Sequence, residues 1–329
     1  MSVKRLSYAA GIREGFEYLL ANHEDVVAIG QGVWSPWYVG SSMTDLDKKF
    51  GKDRVIDTPV SELATTSAAV GAALNGLRPI VIHPRMDFMI LATDSLVNEA
   101  AKWNHMLGGQ ASPSVTVRGI INRGGEQGAQ HSQALHSWYA HIPGLRVVMP
   151  ATVADARDLL IAATLSNDPV LYIDDRWLYE QEADVAEARD LSLSAMGNQV
   201  LREGGDVTLV GASWGTLLNM QAAELLDQQG ISAEVVDCRI LNPIDRKPIA
   251  ASVAKTGRLV ATDGSWATCG LAAEFIAAAA EAVSPANWKA APVRITLPDA
   301  PAPTSAPLEK AYYPTAEQVA AAAAKMVRG

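Results

Sequence analysis

Short apolar runs alternate with longer segments of helical periodicity along the first part of the chain. Strands are predicted at DVVAIG, RPIVIH, SVTVRGII, LRVVMP and PVLYID, and helices over residues 61–77, over residues 93–107 and from Ala151. Continuous apolar strands separated by helices indicate a parallel sheet that is covered on both faces. The first twenty residues interrupt their apolar positions with charged side chains, which predicts an amphipathic helix and no signal peptide.

The alternation stops over residues 180–206, which are polar and rich in turn residues, and then it resumes. A second set of strands is predicted at DVTLVGAS, ISAEVVDCRIL, GRLVATD and PVRITLP, with helices between them and a final helix over residues 316–326. The pattern predicts an α/β protein of two doubly wound domains, residues 1–190 and residues 205–329. A chain of 329 residues fits two domains at about 150 residues each.

Composition and charge narrow the class of protein. Hydrophobic residues make up 49% of the chain and charged residues 19%, which is typical of a globular enzyme or subunit. The net charge of -9 and the absence of a Lys/Arg cluster argue against nucleic acid and anionic membranes as partners. The apolar run GLAAEFIAAAAEAV contains two glutamates and is too short to span a bilayer, so we expect a cytoplasmic protein.

One carboxylate, Glu62, stands at the start of a predicted helix made almost wholly of small residues. An acid in a first turn is ordinarily explained by the helix dipole, with Thr58 or Ser61 as the cap and Pro59 in the first turn. The preceding stretch VIDTP is extended, however, so Glu62 is also predicted to lie where a strand meets a helix. This carboxyl edge is where doubly wound folds bind ligands.

A glycine-rich loop after another strand presents His131 in the sequence GAQHSQ. A histidine in a flexible polar loop can transfer protons near neutral pH. His131, His136 and His141 are five residues apart, which does not match the spacing of a helical metal site. No GxGxxG or GxxxxGK[ST] sequence is present, so the chain offers one acid and one histidine without a phosphate-binding loop.

Six segments together resemble a known family. They are RVIDTPVSELATTSAAVGAALNGLRPIV, DFMILATDSLVNEAAKW, GAQHSQALHSWYAHIPGLRVVMPAT, DVTLVGASWGT, ISAEVVDCRILNPID and PLEKAYYPTAEQV. In this order they resemble the β subunit of thiamine-diphosphate-dependent 2-oxo acid dehydrogenases, the E1 component of pyruvate or branched-chain complexes. The resemblance runs from about Lys4 to Met326 and implies an N-terminal transketolase-type pyrimidine-binding domain and a transketolase-type C-terminal domain.

The resemblance also implies roles for individual residues. Glu62 matches the glutamate that bonds the aminopyrimidine of thiamine diphosphate, a role that needs an acid in a dry pocket. His131 matches the histidine that faces the substrate or the lipoyl group, and Phe88 matches the aromatic residue that packs on the aminopyrimidine ring. Near Asp168 the family often holds a structural monovalent cation, such as K⁺.

The resemblance implies partners as well. E1 enzymes bind the diphosphate through Mg²⁺ and a GDG...N motif, which this chain lacks. No Mg²⁺ site is therefore expected in this chain, and a separate α subunit is expected to carry that motif in an α2β2 heterotetramer. A lipoyl-bearing E2 protein is a further expected partner.

Three residues depart from the family pattern. Gln31 stands where the family usually has an acid, and it cannot ionise. His83 and Arg85, in the sequence HPRMDF, replace apolar residues close to the cofactor. Because a guanidinium suits a carboxylate or a phosphate, we expect a more polar or phosphorylated substrate than pyruvate, with an ion pair from Arg85 to Asp87 or to the α chain as the alternative.

Three functions remain open from the sequence. The leading one is an E1-type β subunit that decarboxylates a 2-oxo acid and transfers the acyl group, as the HSQ sequence favours. The second is a subunit of a split transketolase-like enzyme that transfers a ketol or aldehyde unit, to which Gln31 and Arg85 give some weight. The third is a non-catalytic structural partner of an α chain, against which Glu62 and His131 both argue.

Overall fold

A computed structural model describes residues 3–329, and in it the chain divides into two compact units. The first unit contains the described residues up to Arg123 together with Trp138–Met196. The second contains Gly124–Ser137 and Gly197–Gly329. The grouping of residues 124–137 with the second unit has no counterpart in the sequence pattern, because a glycine-rich loop carries no periodicity. Among the described residues, no helix is both long and apolar enough to cross a membrane.

The first unit is built on a parallel sheet. Its strands are β1 (Val3–Ser7), β2 (Val26–Gly30), β3 (Val55–Asp57), β4 (Arg78–His83), β5 (Thr116–Ile121), β6 (Arg146–Val148), β7 (Val170–Asp175) and β8 (Glu182–Ala186). Six of them pair in the order β6-β7-β5-β4-β2-β3, and every pair is parallel. All six residues of β5 and all six of β7 are buried, which explains why apolar residues predominate in both strands.

Helices complete the first unit. They are α1 (Tyr8–Asn22), α2 (Leu46–Phe50), α3 (Glu62–Leu74), α4 (Met86–Met89), α5 (Ala101–Met106) and α7 (Val153–Thr164), with α6 (His136–Ala140) starting at the end of the 124–137 segment. Helices α1 and α7 pack so closely that a Cβ on Gly11 would lie 2.9 Å from the Val153 carbonyl oxygen. A π-helical stretch, Ser95–Ala100, leads into α5.

The second unit repeats the architecture on a smaller scale. Its strands are β9 (Gln199–Arg202), β10 (Val207–Gly211), β11 (Ala233–Asp237), β12 (Ile240–Asn242), β13 (Leu259–Trp266) and β14 (Val293–Leu297). Five pair in the order β14-β13-β10-β11-β9, and only β9 is antiparallel to its neighbour. Its helices are α8 (Trp214–Asp227), α9 (Lys247–Thr256), α10 (Leu271–Ala282), α11 (Ala306–Tyr312) and α12 (Ala316–Arg328).

The predicted α/β class with doubly wound sheets is confirmed, and several local predictions are wrong. The first helix begins at Tyr8, because residues 3–7 form β1, which pairs with β8 inside the polar stretch over residues 180–206. Helix α3 begins at Glu62, so Pro59 precedes the helix and is not in its first turn. Ser61 occupies the cap position, but its side chain makes no capping hydrogen bond.

Candidate active site at the carboxyl edge of the first sheet

Three of the residues singled out from the sequence meet at one edge of the first unit. Strand β2 pairs with both β3 and β4, so that Gly30 lies opposite Asp57 on one side and Ile82 on the other. The residues that follow these strands therefore lie side by side. Gln31, Glu62 and His83 line a common cavity of about 10 Å³, enough for one atom of a ligand or one water.

Gly30 keeps the floor of this cavity open. A Cβ on Gly30 would lie 2.4 Å from the carbonyl oxygen of Ile82, so the two strands approach too closely for any side chain there. The cavity is therefore small, and it admits one atom of a ligand without a whole ring entering it.

The Glu62 side chain is buried, with 8% of its residue surface exposed, at the first position of α3. Within residues 3–329 its carboxylate has no hydrogen-bond or ion-pair partner. The α3 dipole favours a negative charge at this position, by about 0.3–1 kcal/mol. A carboxylate without a partner is unfavourable in a buried site, which makes it available to a ligand.

His83 forms the wall of the cavity opposite α3. Its ring is buried and its Nε2 lies 3.1 Å from Thr66 Oγ1, one turn along the helix from Glu62. Burial lowers the pKa of His83 to about 4, so the ring is neutral near neutral pH. His83 therefore offers a hydrogen bond and no positive charge to a ligand.

Gln31 belongs to a loop that is held by Asp57. The Asp57 carboxylate accepts the N–H of Gly32 at 2.8 Å and the N–H of Trp34 at 3.2 Å. Gly32 has φ +68, and a Cβ there would lie 2.1 Å from the Tyr38 ring, so the turn requires glycine. Gln31 Nε2 donates to Tyr38 Oη at 3.2 Å, which directs the amide toward the loop.

Arg85 and Phe88 follow β4 but do not line the Glu62 cavity. Both are half-buried, Phe88 within α4 and Arg85 at the position just before it. Burial and the nearby Arg176 lower the pKa of Arg85, whereas Asp87 and Tyr38 act in the opposite direction. An ion pair from Arg85 to Asp87 stays a prediction.

Two buried ion pairs lie behind this edge, between β5 and β7, and the sequence pattern did not reveal either. Arg118 Nε and Nη2 contact both oxygens of Asp174 at 2.8 and 2.9 Å, and Arg123 Nε contacts Asp175 at 2.6 Å. Their carboxylates are the last two residues of β7, and the sequence alone does not show which arginines they contact. Breaking such a fully buried pair costs about 3–5 kcal/mol, so both pairs hold the edge together.

His131 lies in the second unit, half-buried in the 124–137 segment. Two reciprocal hydrogen bonds hold that segment to the C-terminal residues: Glu126 N–H donates to Glu309 Oε2 at 3.0 Å, and Ala306 N–H donates to Glu126 Oε1 at 3.1 Å. A Cβ on Gly128 would lie 2.7 Å from Thr304 Oγ1, so the same loop passes close to that residue. The cavity that Glu62 lines does not include His131.

The second unit also contains a buried hydrogen-bonded pair that the sequence pattern did not reveal. His136 Nε2 lies 2.9 Å from Asp263 Oδ1, and both side chains are buried. Asp263 Oδ2 accepts the N–H groups of Leu271 and Ala272 at the start of α10, at 2.7 and 3.2 Å. Burial would raise the pKa of Asp263, but His136 and these hydrogen bonds outweigh it and lower the pKa.

Asp168, the residue expected near a monovalent cation, lies on the surface of the first unit. Its carboxylate is 3.4 Å from Arg146 Nη1, and it borders a cavity of about 570 Å³ near Asp190. The Arg146 guanidinium already supplies a positive charge there. Among the described residues, no three His, Cys, Asp or Glu side chains cluster as a metal site would require.

Comparisons with known proteins agree with this architecture. Residues 4–181 match the family model described as the transketolase pyrimidine-binding domain, and residues 197–319 match the transketolase C-terminal domain. The chain is 36% identical to the β subunit of acetoin:2,6-dichlorophenolindophenol oxidoreductase from Cupriavidus necator, covering 99% of this chain and 98% of that one. It is 41% identical to a mitochondrial pyruvate dehydrogenase E1 β subunit (beta-2) from Oryza sativa subsp. japonica, over 84% and 74% of the two chains.

The chain belongs to the transketolase-like family of E1-type β subunits. As an E1-type β subunit it is part of an enzyme, so the family and the enzyme class expected from the sequence are confirmed. Among solved structures, a split-gene transketolase described as an inactive β4 tetramer has the same fold, with a TM-score of 0.77 at 22% identity over 98% of both chains.

Proposed function

We propose that this chain is the β subunit of a thiamine-diphosphate-dependent enzyme that decarboxylates a 2-oxo acid and transfers the resulting acyl group. The observation that carries the proposal is Glu62, a buried carboxylate without a partner in the described residues, at the edge where doubly wound folds bind ligands. The relatives named as E1 β subunits support the same chemistry.

The cavity residues fit the pyrimidine part of the cofactor. A cavity of about 10 Å³ admits one ring atom such as a nitrogen, and the Glu62 carboxylate can hold a proton on that nitrogen. His83 is neutral near pH 7, so it places no positive charge beside Glu62. Gln31 also lines the cavity. When bound, thiamine diphosphate supplies the nucleophilic carbon and the electron sink for decarboxylation.

His131 and Phe88 have subsidiary roles in the proposal. His131 sits in a glycine-rich loop anchored through Glu126 and Glu309, which suits a group that moves a proton to or from the substrate. Phe88 is half-buried in α4, where a ring can stack on an aromatic ligand.

The proposal includes an α subunit in an α2β2 assembly. Val60 and Leu63, which flank Glu62 in sequence, are 73% and 48% exposed, so apolar surface surrounds the one carboxylate that needs a dry site. An α subunit covering this surface would exclude water and bring the Mg²⁺ and diphosphate site. The same proposal includes a lipoyl-bearing E2 as the acyl acceptor. It also includes K⁺ near Asp168, although the Arg146 guanidinium already contacts that carboxylate.

The test is to purify the chain with an α-like subunit and to measure thiamine-diphosphate-dependent dye reduction on a panel of 2-oxo acids, with acetoin and ketose donors alongside. Turnover of a 2-oxo acid that requires both subunits, the cofactor and Glu62 supports the proposal. Turnover of ketose donors alone would replace it with the transketolase-like function. Cofactor binding without turnover of any donor would leave a structural subunit.

A further inference from the structure

Two arginines lie on the carboxyl edge of the first sheet, beyond the Glu62 cavity. Arg85 follows the end of β4 by two residues, and Arg176 directly follows β7. Strands β4 and β7 both pair with β5, so their ends are two strands apart, about 10 Å at the usual strand spacing. Long guanidinium side chains from these two positions can reach a single ligand.

The loop after β2 connects this pair to the cavity. Arg176 Nη2 donates to the Tyr38 carbonyl oxygen at 2.5 Å, and the Tyr38 hydroxyl accepts from Gln31, which lines the Glu62 cavity. A ligand held by the two arginines would therefore lie beside the proposed reaction site and share its loop.

The acids nearest to Arg176 along the chain are engaged with other arginines. Asp174 and Asp175 are bonded to Arg118 and Arg123. The Nε atom of Arg176 is buried and has no hydrogen-bond partner in the described part of the chain. Arg176 repels Arg85 electrostatically and lowers its pKa, an effect second only to burial. The opposing effects of Asp87 and Tyr38 are smaller.

We propose that Arg85 and Arg176 together bind an anionic group of the substrate, a carboxylate or a phosphate distinct from the reacting carbonyl. This inference rests on the proposed function, because it assigns the substrate class of the same site. A guanidinium presents a planar fork of donors that matches both anions, and an anion between two such groups removes their repulsion. A neutral substrate such as acetoin would leave the pair unused.

The first experiment measures anion binding to the full chain by isothermal titration calorimetry. The probes are inorganic phosphate, succinate and acetate, and the variants are Arg85→Gln, Arg176→Gln and Arg85→Lys. Arg5→Gln is the matched control, because Arg5 is an exposed arginine of the same unit, paired with Glu182. Circular dichroism establishes that each variant is folded.

We expect phosphate and succinate to compete for one site and to bind at least tenfold more weakly to each Gln variant, with Arg85→Lys intermediate and Arg5→Gln unchanged. The tighter of the two probes identifies phosphate or carboxylate as the preferred group. Absence of binding to the wild-type chain, or equal binding to all variants, would overturn the inference. If Arg176→Gln does not fold, the Arg85 variants decide the question alone.

A second experiment separates this inference from the proposed function. In the complex with an α-like subunit, Arg85→Gln should raise KM at least tenfold when the substrate is a dicarboxylic 2-oxo acid, with no such rise for pyruvate. Arginine-dependent anion binding without thiamine-dependent turnover would contradict the proposed function and keep the anion site. Turnover with KM values that the arginine variants do not change would keep the function and remove the anion site.

Discussion

Replacing Glu62 by glutamine should stabilise the protein while it abolishes the proposed chemistry. Glu62 has 8% of its residue surface exposed, and within residues 3–329 its carboxylate has no partner. A buried polar group left without a hydrogen bond costs about 1–3 kcal/mol, and more when it is charged. The helix dipole returns only about 0.3–1 kcal/mol of this cost.

The net gain for Glu62→Gln is therefore about 1 kcal/mol, since the amide removes the charge but remains polar. For a domain the size of the first unit this corresponds to a rise in Tm of about 2–4 °C. Differential scanning calorimetry of the cofactor-free chain measures it. A stability gain at the cost of activity is the usual signature of a residue retained for function.

Glu234→Gln is the matched control for this prediction. Glu234 is also a buried glutamate, 2% exposed, but its carboxylate contacts Lys255 and accepts the Gly204 N–H. Its substitution should lower Tm, because a partnered charge is lost. If Glu62→Gln lowered Tm as much as Glu234→Gln does, the Glu62 carboxylate would stabilise the fold. That result would refute the inference that the carboxylate is available to a ligand.

Three further predictions concern the buried side chains of His83, Glu309 and Asp263. The pKa of His83 is about 4 against the ordinary 6.5, so the free energy of unfolding should fall by about 3 kcal/mol as the pH drops from about 6.5 to 4. His83→Gln should remove that part of the pH dependence in urea titrations. An equal pH dependence in the wild type and the variant would contradict the assignment. Glu309→Ala should speed amide hydrogen exchange in the loop carrying Glu126 about tenfold, since an acceptor worth about 1–2 kcal/mol is lost, and unchanged exchange would exclude Glu309 as an anchor. Asp263→Asn should cost about 1–3 kcal/mol in urea unfolding, because it weakens the buried hydrogen bonds of Asp263 with His136 and with the N–H groups of Leu271 and Ala272; a loss below about 0.5 kcal/mol would mean that these bonds are dispensable.

Local sequence predicts the buried parallel strands of this protein well, and it predicts the exposed antiparallel pair of β1 and β8 poorly. Strands β5 and β7 are buried throughout, and their mostly apolar residues identify them despite the charged Arg118, Asp174 and Asp175. Strand β1 has no buried residue and pairs with β8, with Val3 opposite Ala186. A mostly exposed ribbon formed by residues that far apart leaves no periodic signal in either segment.

The residues of the candidate site also differ in how far the sequence predicts them. Glu62 was predicted from its place between a strand and a helix at a sheet edge, whereas Gln31 and His83 were singled out because they depart from the family pattern. Arg176 was not found, because its relevance depends on β7 lying next to β5, and strand order cannot be read from spacing. The pairing of His136 with Asp263 joins residues 127 positions apart and is visible only once the second unit is folded.

The unpartnered Glu62 carboxylate is the residue on which the proposed thiamine chemistry depends. The most direct measurement compares thiamine-diphosphate-dependent turnover of a 2-oxo acid by the wild-type chain and by Glu62→Gln, each assembled with the same α-like subunit and matched for assembly by gel filtration. The account predicts that the variant assembles normally and loses at least about 100-fold in kcat, as removal of a positioned proton-transfer group does. Turnover equal to wild type in the Glu62→Gln complex would contradict it.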